Sequence, residues 1–214
     1  MKNIKLLLLA LGCVFTSQIS AQNDFKIGVN AGLNYPSNRG YVYAKNNNFK
    51  IGHLFGVTLE YYLKENLSIK ANVNYERKVR KKQLTYFNNQ AEETGKENFE
   101  DLYEYINIPI VLKHEFGNSK FFVNGGVFVN YLFNQKLDTD YPNDNRISKT
   151  EQKKIDFGLS VGIGTIIALN EKNELTIELR DDLGVIDTGG VPEIYEGSIN
   201  TNAVKLILGW NLGI

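Results

Sequence analysis

The strongest constraint on this chain is an alternation of apolar and polar side chains that repeats in eight segments. Each segment carries apolar residues at every second position, with Gly, Asn or charged residues between them. Successive side chains of a β-strand point to opposite faces, so the pattern predicts strands with one apolar and one polar face. The predicted strands are 25–35, 51–63, 67–79, 103–116, 120–133, 154–169, 174–183 and 203–214.

The N-terminal residues have the pattern of an export signal. A short basic segment precedes an apolar stretch from Leu6 to Phe15, and the polar segment that follows ends in the small residue Ala21. We expect residues 1–21 to be a cleaved signal peptide and residues 22–214 to form the folded domain. The apolar stretch is too short to span a bilayer as a helix, and no later apolar run is long enough.

Composition narrows the possible functions. Cys13 is the only cysteine and lies in the predicted signal, which excludes disulfides, thiol catalysis and Cys-based metal sites from the exported protein. An alternative in which Cys13 carries a lipid lacks the Leu that a lipobox prefers three positions earlier, where Ala10 stands. The 24 basic and 24 acidic residues give a net charge of 0, which argues against nucleic acid as a partner.

The positions of the glycines distinguish a membrane barrel from a soluble one. Ten of the 19 glycines lie on the polar side of the predicted strands, and only Gly125 lies on the apolar side. Glycine adds no packing to a solvated strand face, whereas small residues inside a narrow barrel make room for large ones. We therefore predict an all-β, eight-stranded antiparallel up-and-down transmembrane β-barrel with a polar, side-chain-filled interior.

The polar faces carry charges of both signs, and buried charges need partners. We expect a packed network of ion pairs and hydrogen bonds inside the barrel, not an open pore. Its predicted members are Glu60, Lys70, Glu76, Lys113, Glu115, Asp156, Glu178, Arg180 and Lys205.

Short and long connections alternate along the chain, which is typical of outer-membrane barrels with tight periplasmic turns and long external loops. The predicted long loops are about 36–50, 80–101, 134–153 and 184–200. Aromatic residues gather near both ends of the predicted strands, and we expect two interfacial girdles. The predicted girdle on the loop side contains Tyr35, Tyr75, Tyr105, Tyr131 and Phe133.

One residue fits the strand pattern poorly. Pro109 lies in the middle of predicted strand four and has no N–H to offer a neighbouring strand. We expect a local β-bulge at this position.

Several motifs carry a family resemblance. They are Tyr105-Ile106-Asn107-Ile108-Pro109-Ile110-Val111-Leu112-Lys113, Asp156-Phe157-Gly158-Leu159-Ser160-Val161-Gly162-Ile163-Gly164, and Glu178-Leu179-Arg180 before Leu183-Gly184. With the signal that ends at Ser20-Ala21-Gln22, their order resembles the small outer-membrane β-barrel proteins of Bacteroidetes, the PorT-like or outer membrane protein beta-barrel family. The resemblance implies a bacterial outer-membrane location more firmly than an activity. The last strand looks like a signal for the barrel assembly machinery, although it ends in Ile214 where many barrels end in Phe.

No constellation of catalytic residues is apparent. The two histidines, His53 and His114, belong to opposite ends of the predicted barrel, so neither a hydrolase triad nor a His-based metal site is expected. We predict no catalytic, cofactor-binding or metal-binding residues.

A basic run follows predicted strand three, where the chain leaves the membrane. Arg77, Lys78, Arg80, Lys81 and Lys82 are placed to contact the phosphates of lipopolysaccharide. The alternative is a solvated extension of the strand.

The leading hypothesis for function is a non-enzymatic outer-membrane barrel whose long external loops bind or present an unknown partner. Outer-membrane lipid and lipopolysaccharide would surround it. The alternatives are a small pore or transport barrel, a lipid-modifying outer-membrane enzyme, and a soluble lipocalin-like binder.

Overall fold

Eight antiparallel strands close into a barrel in which each strand pairs with its neighbour in sequence and β1 pairs with β8. The strands are β1 (Phe25–Gly40), β2 (Asn48–Lys64), β3 (Leu67–Phe87), β4 (Glu93–Glu115), β5 (Phe121–Asp138), β6 (Ile155–Ala168), β7 (Asn173–Gly184) and β8 (Ile199–Gly213). The computed structural model describes residues 25–40, 48–88, 90–117, 120–138, 152–189 and 197–214. The predicted fold class, an all-β up-and-down barrel of eight strands, is confirmed.

The strands are tilted against the barrel axis. Following the paired residues once around the ring leads from Gly213 of β8, through Lys26 of β1, back to Ala203 of β8, a displacement of 213 − 203 = 10 residues. Closed barrels with such a stagger have strands inclined by roughly 35–45°. With eight strands the interior is just wide enough to be filled by side chains.

The two faces of the wall have opposite chemistry. Apolar side chains point outward and stay exposed along the strands; Val57, Leu208 and Trp210 are 56%, 58% and 51% exposed. The inward positions between them are buried and carry most of the polar groups. This inversion relative to a water-soluble protein suits a wall that contacts lipid.

Inward glycines stand beside bulky or polar partners on the next strand. Phe128 pairs with Gly158, and Phe122 pairs with Gly164. A Cβ on Gly158 would lie 2.0 Å from the backbone oxygen of Leu183, so no larger residue fits there without displacing the wall. The interior also holds apolar side chains, which makes it more mixed than the predicted polar filling; these are Leu54, Val111, Phe122, Phe128 and Ile207.

The prediction of a loop over 80–101 was wrong. β3 continues to Phe87 and β4 already begins at Glu93, and the two strands pair up to Phe87 and Glu93. The pairing of β2 with β3 ends at Lys81, and the pairing of β5 with β4 ends at Glu100. Residues 82–99 therefore extend beyond β2 and β5 as a two-stranded hairpin. We call this segment the β3–β4 ribbon. Alternation of polar residues without a clear apolar face concealed it in the sequence.

The other three long loops are shorter than predicted. β1 extends to Gly40, β2 begins at Asn48, and β5 extends to Asp138. These extensions take residues from the predicted loops 36–50 and 134–153, and β7 and β8 together take three from 184–200. Of the loop residues that remain, 41–47, 139–151 and 190–196 lie outside the described residues, as does the predicted signal peptide, 1–21.

The expected bulge at Pro109 is also absent from the described strands β3, β4 and β5. Pro109 pairs with Phe128 in an unbroken register on the β5 side. On the β3 side, pairing stops between Ala71 and Asn74 and resumes without a shift. The barrel therefore accommodates the missing N–H by leaving two residue pairs out of the β3–β4 ladder, and no extra residue is inserted.

Candidate functional site

The most unusual feature of this barrel is its lumen, where charged side chains from seven strands are packed together. The lumen-facing cations among the described side chains are Lys26, Lys70, Lys78, Arg80, Lys113, Arg180 and Lys205. The lumen-facing anions are Glu60, Glu76, Asp101, Glu115, Asp156, Glu174, Glu178 and Asp182. All except Lys26 and Glu115 are buried. Burial on this scale is tolerable only when each charge has a partner.

The first cluster lies near the end of the barrel that holds the short turns, the start of β1 and the end of β8. Lys113 Nζ is 2.9 Å from Glu60 Oε1 and 2.8 Å from Glu115 Oε1. The Ser68 hydroxyl donates to Glu60 at 2.5 Å, and the Tyr62 hydroxyl donates to Glu115 at 2.6 Å. Residues from β2, β3 and β4 thus close this end of the lumen.

The second cluster is centred on Glu178 of β7. Its carboxylate accepts hydrogen bonds from Lys70 Nζ at 2.9 Å, Arg180 Nε at 2.6 Å and Asn124 Nδ2 at 2.9 Å. Lys70 belongs to β3 and reaches Glu178 across the lumen. The pair therefore ties two opposite parts of the wall together.

The third cluster is centred on Lys205 of β8. Its ammonium is 2.8 Å from Glu76 Oε2 on β3 and 2.6 Å from Asp182 Oδ2 on β7. The Ser160 hydroxyl also donates to Asp182, at 2.7 Å. Lys205 can pair with both carboxylates only while β3, β7 and β8 keep their positions in the barrel.

A line of hydrogen bonds runs around the wall next to this cluster. Asn74 donates to Asn107 at 3.1 Å, Asn107 donates to Asn130 at 2.7 Å, and Asn130 donates to Asp156 at 3.0 Å. These four residues are directly paired on β3, β4, β5 and β6. All the amides point the same way, so the chain of donors ends on the Asp156 carboxylate.

The outer end of the lumen is closed by aromatic and apolar side chains. Tyr103, Tyr105 and Leu132 form a buried cluster. Lys78 Nζ lies 5.0 Å from the centre of the Tyr105 ring, and Arg80 pairs with Asp101 at 2.6 Å. A small cavity of about 20 Å³ borders Tyr105 and Lys78, enough for one water. Tyr105 is 3% exposed and belongs to this plug, so its predicted place in the outer girdle was wrong.

The structure places all nine predicted network residues in the lumen, with Glu115 partly exposed at the end. Sequence reasoning missed six further charged members: Lys26, Lys78, Arg80, Asp101, Glu174 and Asp182. Each lies on the inward parity of its strand. Four of them fall inside the predicted strands, so parity alone would have included them, whereas Arg80 and Asp101 also required longer strands β3 and β4.

The predicted basic patch is divided between the two faces of β3. Lys78 and Arg80 are 5% and 3% exposed and point into the lumen, so they cannot contact lipopolysaccharide from there. This corrects their predicted role, because alternate residues of a strand face opposite sides. Arg77 and Lys81 lie on the outward parity, whereas the side chain of Lys82 lies outside the described part of the chain.

Around Arg77 the outer rim carries an ordered group of side chains. The Tyr75 hydroxyl donates to Glu104 at 2.7 Å, and Asn134 donates to the other oxygen of Glu104. The Tyr75 ring is 5.0 Å from that of Phe55 and 6.1 Å from that of Phe133. We call Phe55, Tyr75, Glu104, Phe133 and Asn134 the rim cluster. It combines an aromatic lower part with a polar upper part, which is typical of a membrane interface.

The start of the last external connection is anchored to the rim. Asp187 accepts hydrogen bonds from Lys153 Nζ at 2.7 Å and from the backbone N–H groups of Ile199 at 2.9 Å and Gly189 at 3.1 Å. The hydrogen bond from Lys153, with those from the backbone, lowers the pKa of this carboxyl.

The two histidines lie at opposite ends of the barrel, and among the described residues neither is hydrogen-bonded to a Ser, Asp or Glu side chain. His53 is exposed on β2 beside the Tyr75 ring, with 6.1 Å between centroids. His114 lies on β4 near the opposite end and packs edge-on against Phe116 at 5.1 Å. Within the described ranges no three His, Cys, Asp or Glu side chains are grouped to hold a metal ion.

Comparison with protein families decides the class of this barrel. The family model described as "Outer membrane protein beta-barrel domain" matches residues 16–189. The chain belongs to the outer-membrane protein β-barrel family. Its place is therefore the bacterial outer membrane. No curated protein matches the sequence.

The solved structure of OprG agrees with this family at the level of the fold. The barrel is similar to OprG from Pseudomonas aeruginosa, with a TM-score of 0.55, 13% identity, and coverage of 89% of this chain and 95% of OprG. It also matches Neisserial surface protein A, with a TM-score of 0.49, 13% identity, and coverage of 91% and 99%. Among the described residues no helix is long and apolar enough to cross a membrane, a finding that concerns helices only.

Proposed function

We propose that this outer-membrane barrel is a non-enzymatic scaffold whose outer segments bind a partner at the cell surface. The observation that carries the proposal is the filled lumen. Three ion-pair clusters and an aromatic plug occupy the described interior. The barrel is therefore suited to holding its external segments in place and poorly suited to conducting solutes. The β3–β4 ribbon rises from this rigid base, a usual arrangement for recognition.

Conductance tests the filled lumen directly. Purified full-length protein inserted into planar bilayers is expected to give no stable single-channel steps, in contrast to a porin measured in the same membrane. Reproducible steps from the folded, heat-modifiable form would overturn the scaffold proposal and favour the pore alternative.

A second test asks whether the apolar face contacts lipid. Trp210 is the only tryptophan, is 51% exposed and points outward from β8. Lipids brominated on their acyl chains are expected to quench its fluorescence strongly in reconstituted vesicles, with little quenching by a water-soluble quencher. The reverse pattern would favour a soluble, lipocalin-like barrel.

We further propose that the rim contacts lipopolysaccharide through Arg77 and Lys136. Both belong to outward-facing stretches beside the rim cluster, and Lys136 pairs with Leu102 just beyond it. Cations above an aromatic belt match the order of phosphates above acyl chains in lipopolysaccharide. This replaces the five-residue patch that includes Lys78 and Arg80.

Paired substitutions test the rim contact. Arg77→Gln with Lys136→Gln is expected to reduce the lipopolysaccharide retained by the purified barrel, and the loss should shrink in high salt. Lys172→Gln, in the turn at the opposite end of the barrel, is the matched control and should retain the wild-type amount. Equal retention by all three proteins would exclude this site.

Three finer statements about export and family also belong to the proposal. Residues 1–21 are proposed to be a signal peptide removed after Ala21, and the last strand to be recognised by the barrel assembly machinery. The motifs in β4, β6 and β7 support a place among the PorT-like proteins of Bacteroidetes. Mass determination of the N-terminus of outer-membrane material tests the cleavage: a first residue other than Gln22 would contradict it.

A further inference from the structure

One carboxylate in the lumen differs from the others in having no cation beside it. Asp156 is 1% exposed, and its Oδ2 accepts hydrogen bonds from Asn130 at 3.0 Å and from the Thr201 hydroxyl at 2.6 Å. No partner reaches its Oδ1. The other buried acids near it, such as Asp182 and Asp101, each have a Lys or Arg within 2.6 Å.

The charge of the lumen points to the same position. Among the described side chains, seven cations face eight anions in the lumen, which leaves one negative charge uncompensated. Lys78 lies 3.9 Å from Glu76 and is already part of the count. Arg39, on the outward parity of β1, donates to the Gly184 carbonyl at 2.8 Å and does not pair with Asp156. A buried charge without compensation costs several kcal/mol in a medium of low dielectric constant.

The backbone next to Asp156 provides further oxygen ligands. A Cβ built on Gly184 would lie 2.9 Å from Asp156 Oδ1, 2.6 Å from Thr201 Oγ1 and 3.0 Å from the Thr201 carbonyl oxygen. Three oxygens thus converge on the side where Gly184 has no side chain. Carboxylate, hydroxyl and carbonyl oxygens are the ligands that hard cations such as Na⁺ and Ca²⁺ prefer.

Space for hydration lies close by. The cavity of about 20 Å³ at the outer end is bordered by Thr201 as well as by Tyr105. A volume of this size holds one water. Thr201 therefore borders both this cavity and the group of oxygens beside Gly184.

We propose that Asp156 and Thr201, beside Gly184, form a binding site for one monovalent cation such as Na⁺, which matches three oxygens and a single uncompensated charge. A monovalent ion balances the lumen, whereas a divalent ion would leave it with one excess positive charge. The site is structural: it completes the row of donors that ends on Asp156 and holds β6 against β8.

Linkage between cation binding and unfolding provides the test. Unfolding of the full protein in detergent by urea, followed by the heat-dependent gel shift, is measured in mixtures of NaCl and choline chloride at constant total salt. Above the dissociation constant, the unfolding equilibrium constant is expected to fall about tenfold for each tenfold rise in Na⁺, which is a slope of −1 on logarithmic axes.

Two substitutions remove the site in different ways. Asp156→Asn removes the charge and keeps the hydrogen-bonding shape, and Thr201→Val removes the hydroxyl ligand. Both are expected to unfold with a slope near 0, while Thr201→Ser should restore the slope of the wild type. Asp187→Asn is the matched control, because it removes a carboxylate at the outer rim, leaves the charges of the lumen as they are and should leave the Na⁺ slope unchanged.

A wild-type slope of 0 between Na⁺ and choline would overturn the proposal, because it would mean that folding binds no Na⁺. An unchanged Na⁺ slope in Asp156→Asn would place the bound cation elsewhere and would equally overturn it. If Asp156→Asn does not fold, the comparison of Thr201→Val with Thr201→Ser decides between the same outcomes.

Discussion

The lumen and the β3–β4 ribbon share two strands, yet they are held together in different ways. In the lumen, Lys70 of β3 pairs with Glu178, which lies 108 residues away in sequence. In the ribbon, Gln83 of the same strand bonds Asn98 at 3.0 Å, only 15 residues away. Contacts that cross the lumen therefore exist only in the closed ring, whereas ribbon contacts exist wherever the hairpin forms. Substitutions in the two regions should differ accordingly in their effect on the barrel.

The largest effect is expected from removing the central cation of the lumen. Lys205→Met leaves Glu76 and Asp182 buried without their shared partner, which should cost about 3–5 kcal/mol of unfolding free energy. Urea unfolding with the gel-shift readout measures this loss. The ribbon-base variant Lys81→Met should unfold like the wild type, and a similar loss in both would remove the distinction between the regions.

A pair of glycines gives a second, smaller contrast. Gly158→Ala places a Cβ 2.0 Å from the Leu183 oxygen and should cost about 1–3 kcal/mol, because the tightly packed wall must shift. Gly95→Ala in the ribbon meets no atom within 4 Å and should be nearly neutral. The same unfolding assay compares the two variants. Equal stabilities would show that the backbone around Gly158 shifts at a lower energetic cost than its close contacts indicate.

Removal of the ribbon should leave the barrel almost unchanged. Replacement of residues 83–98 by a short Asn-Gly turn is expected to alter the unfolding free energy by no more than about 0.5 kcal/mol, because the ribbon makes no contribution to the three lumen clusters. Surface binding by the outer segments should fall in the same variant. Loss of the heat-modifiable form would instead show that the ribbon takes part in closing the ring.

The smallest effect concerns the anchor at Asp187. Because the folded state lowers the pKa of this carboxyl, its contribution is complete above the pKa of an ordinary Asp and is lost as the pH falls through the folded value. Hydrogen exchange at the Ile199 amide should speed up relative to a core amide such as that of Ala203 only in strong acid. Asp187→Asn should show weakened protection already at neutral pH, while an unchanged Ile199 amide would contradict the anchor.

The sequence was sufficient for features that depend on one strand at a time. Alternation alone placed Lys113, Glu178 and Lys205 inside, because the face of a residue follows from its parity. It could not identify the partners, since the contact between Lys70 and Glu178 depends on the ten-residue displacement around the ring, which no single strand displays.

The errors arose where the pattern was read too locally. The ribbon lacks an apolar face, which hides its two strands in the sequence. The basic run was assigned to the surface by its charge, although the parity of Lys78 and Arg80 places these two side chains inside. Tyr105 was grouped with the girdle by its residue type, against its parity. Asp156 was correctly predicted inside, but its missing counter-charge appears only when every lumen residue is counted together.

The position of Lys205 on the last strand couples charge compensation to closure of the ring. Glu76 and Asp182 belong to β3 and β7, and β8 supplies the cation that both share. The strand that joins β7 to β1 and so completes the sheet also delivers this counter-ion. An open chain in which β8 is unpaired therefore leaves both acids without their common partner, and closing the ring removes that electrostatic cost.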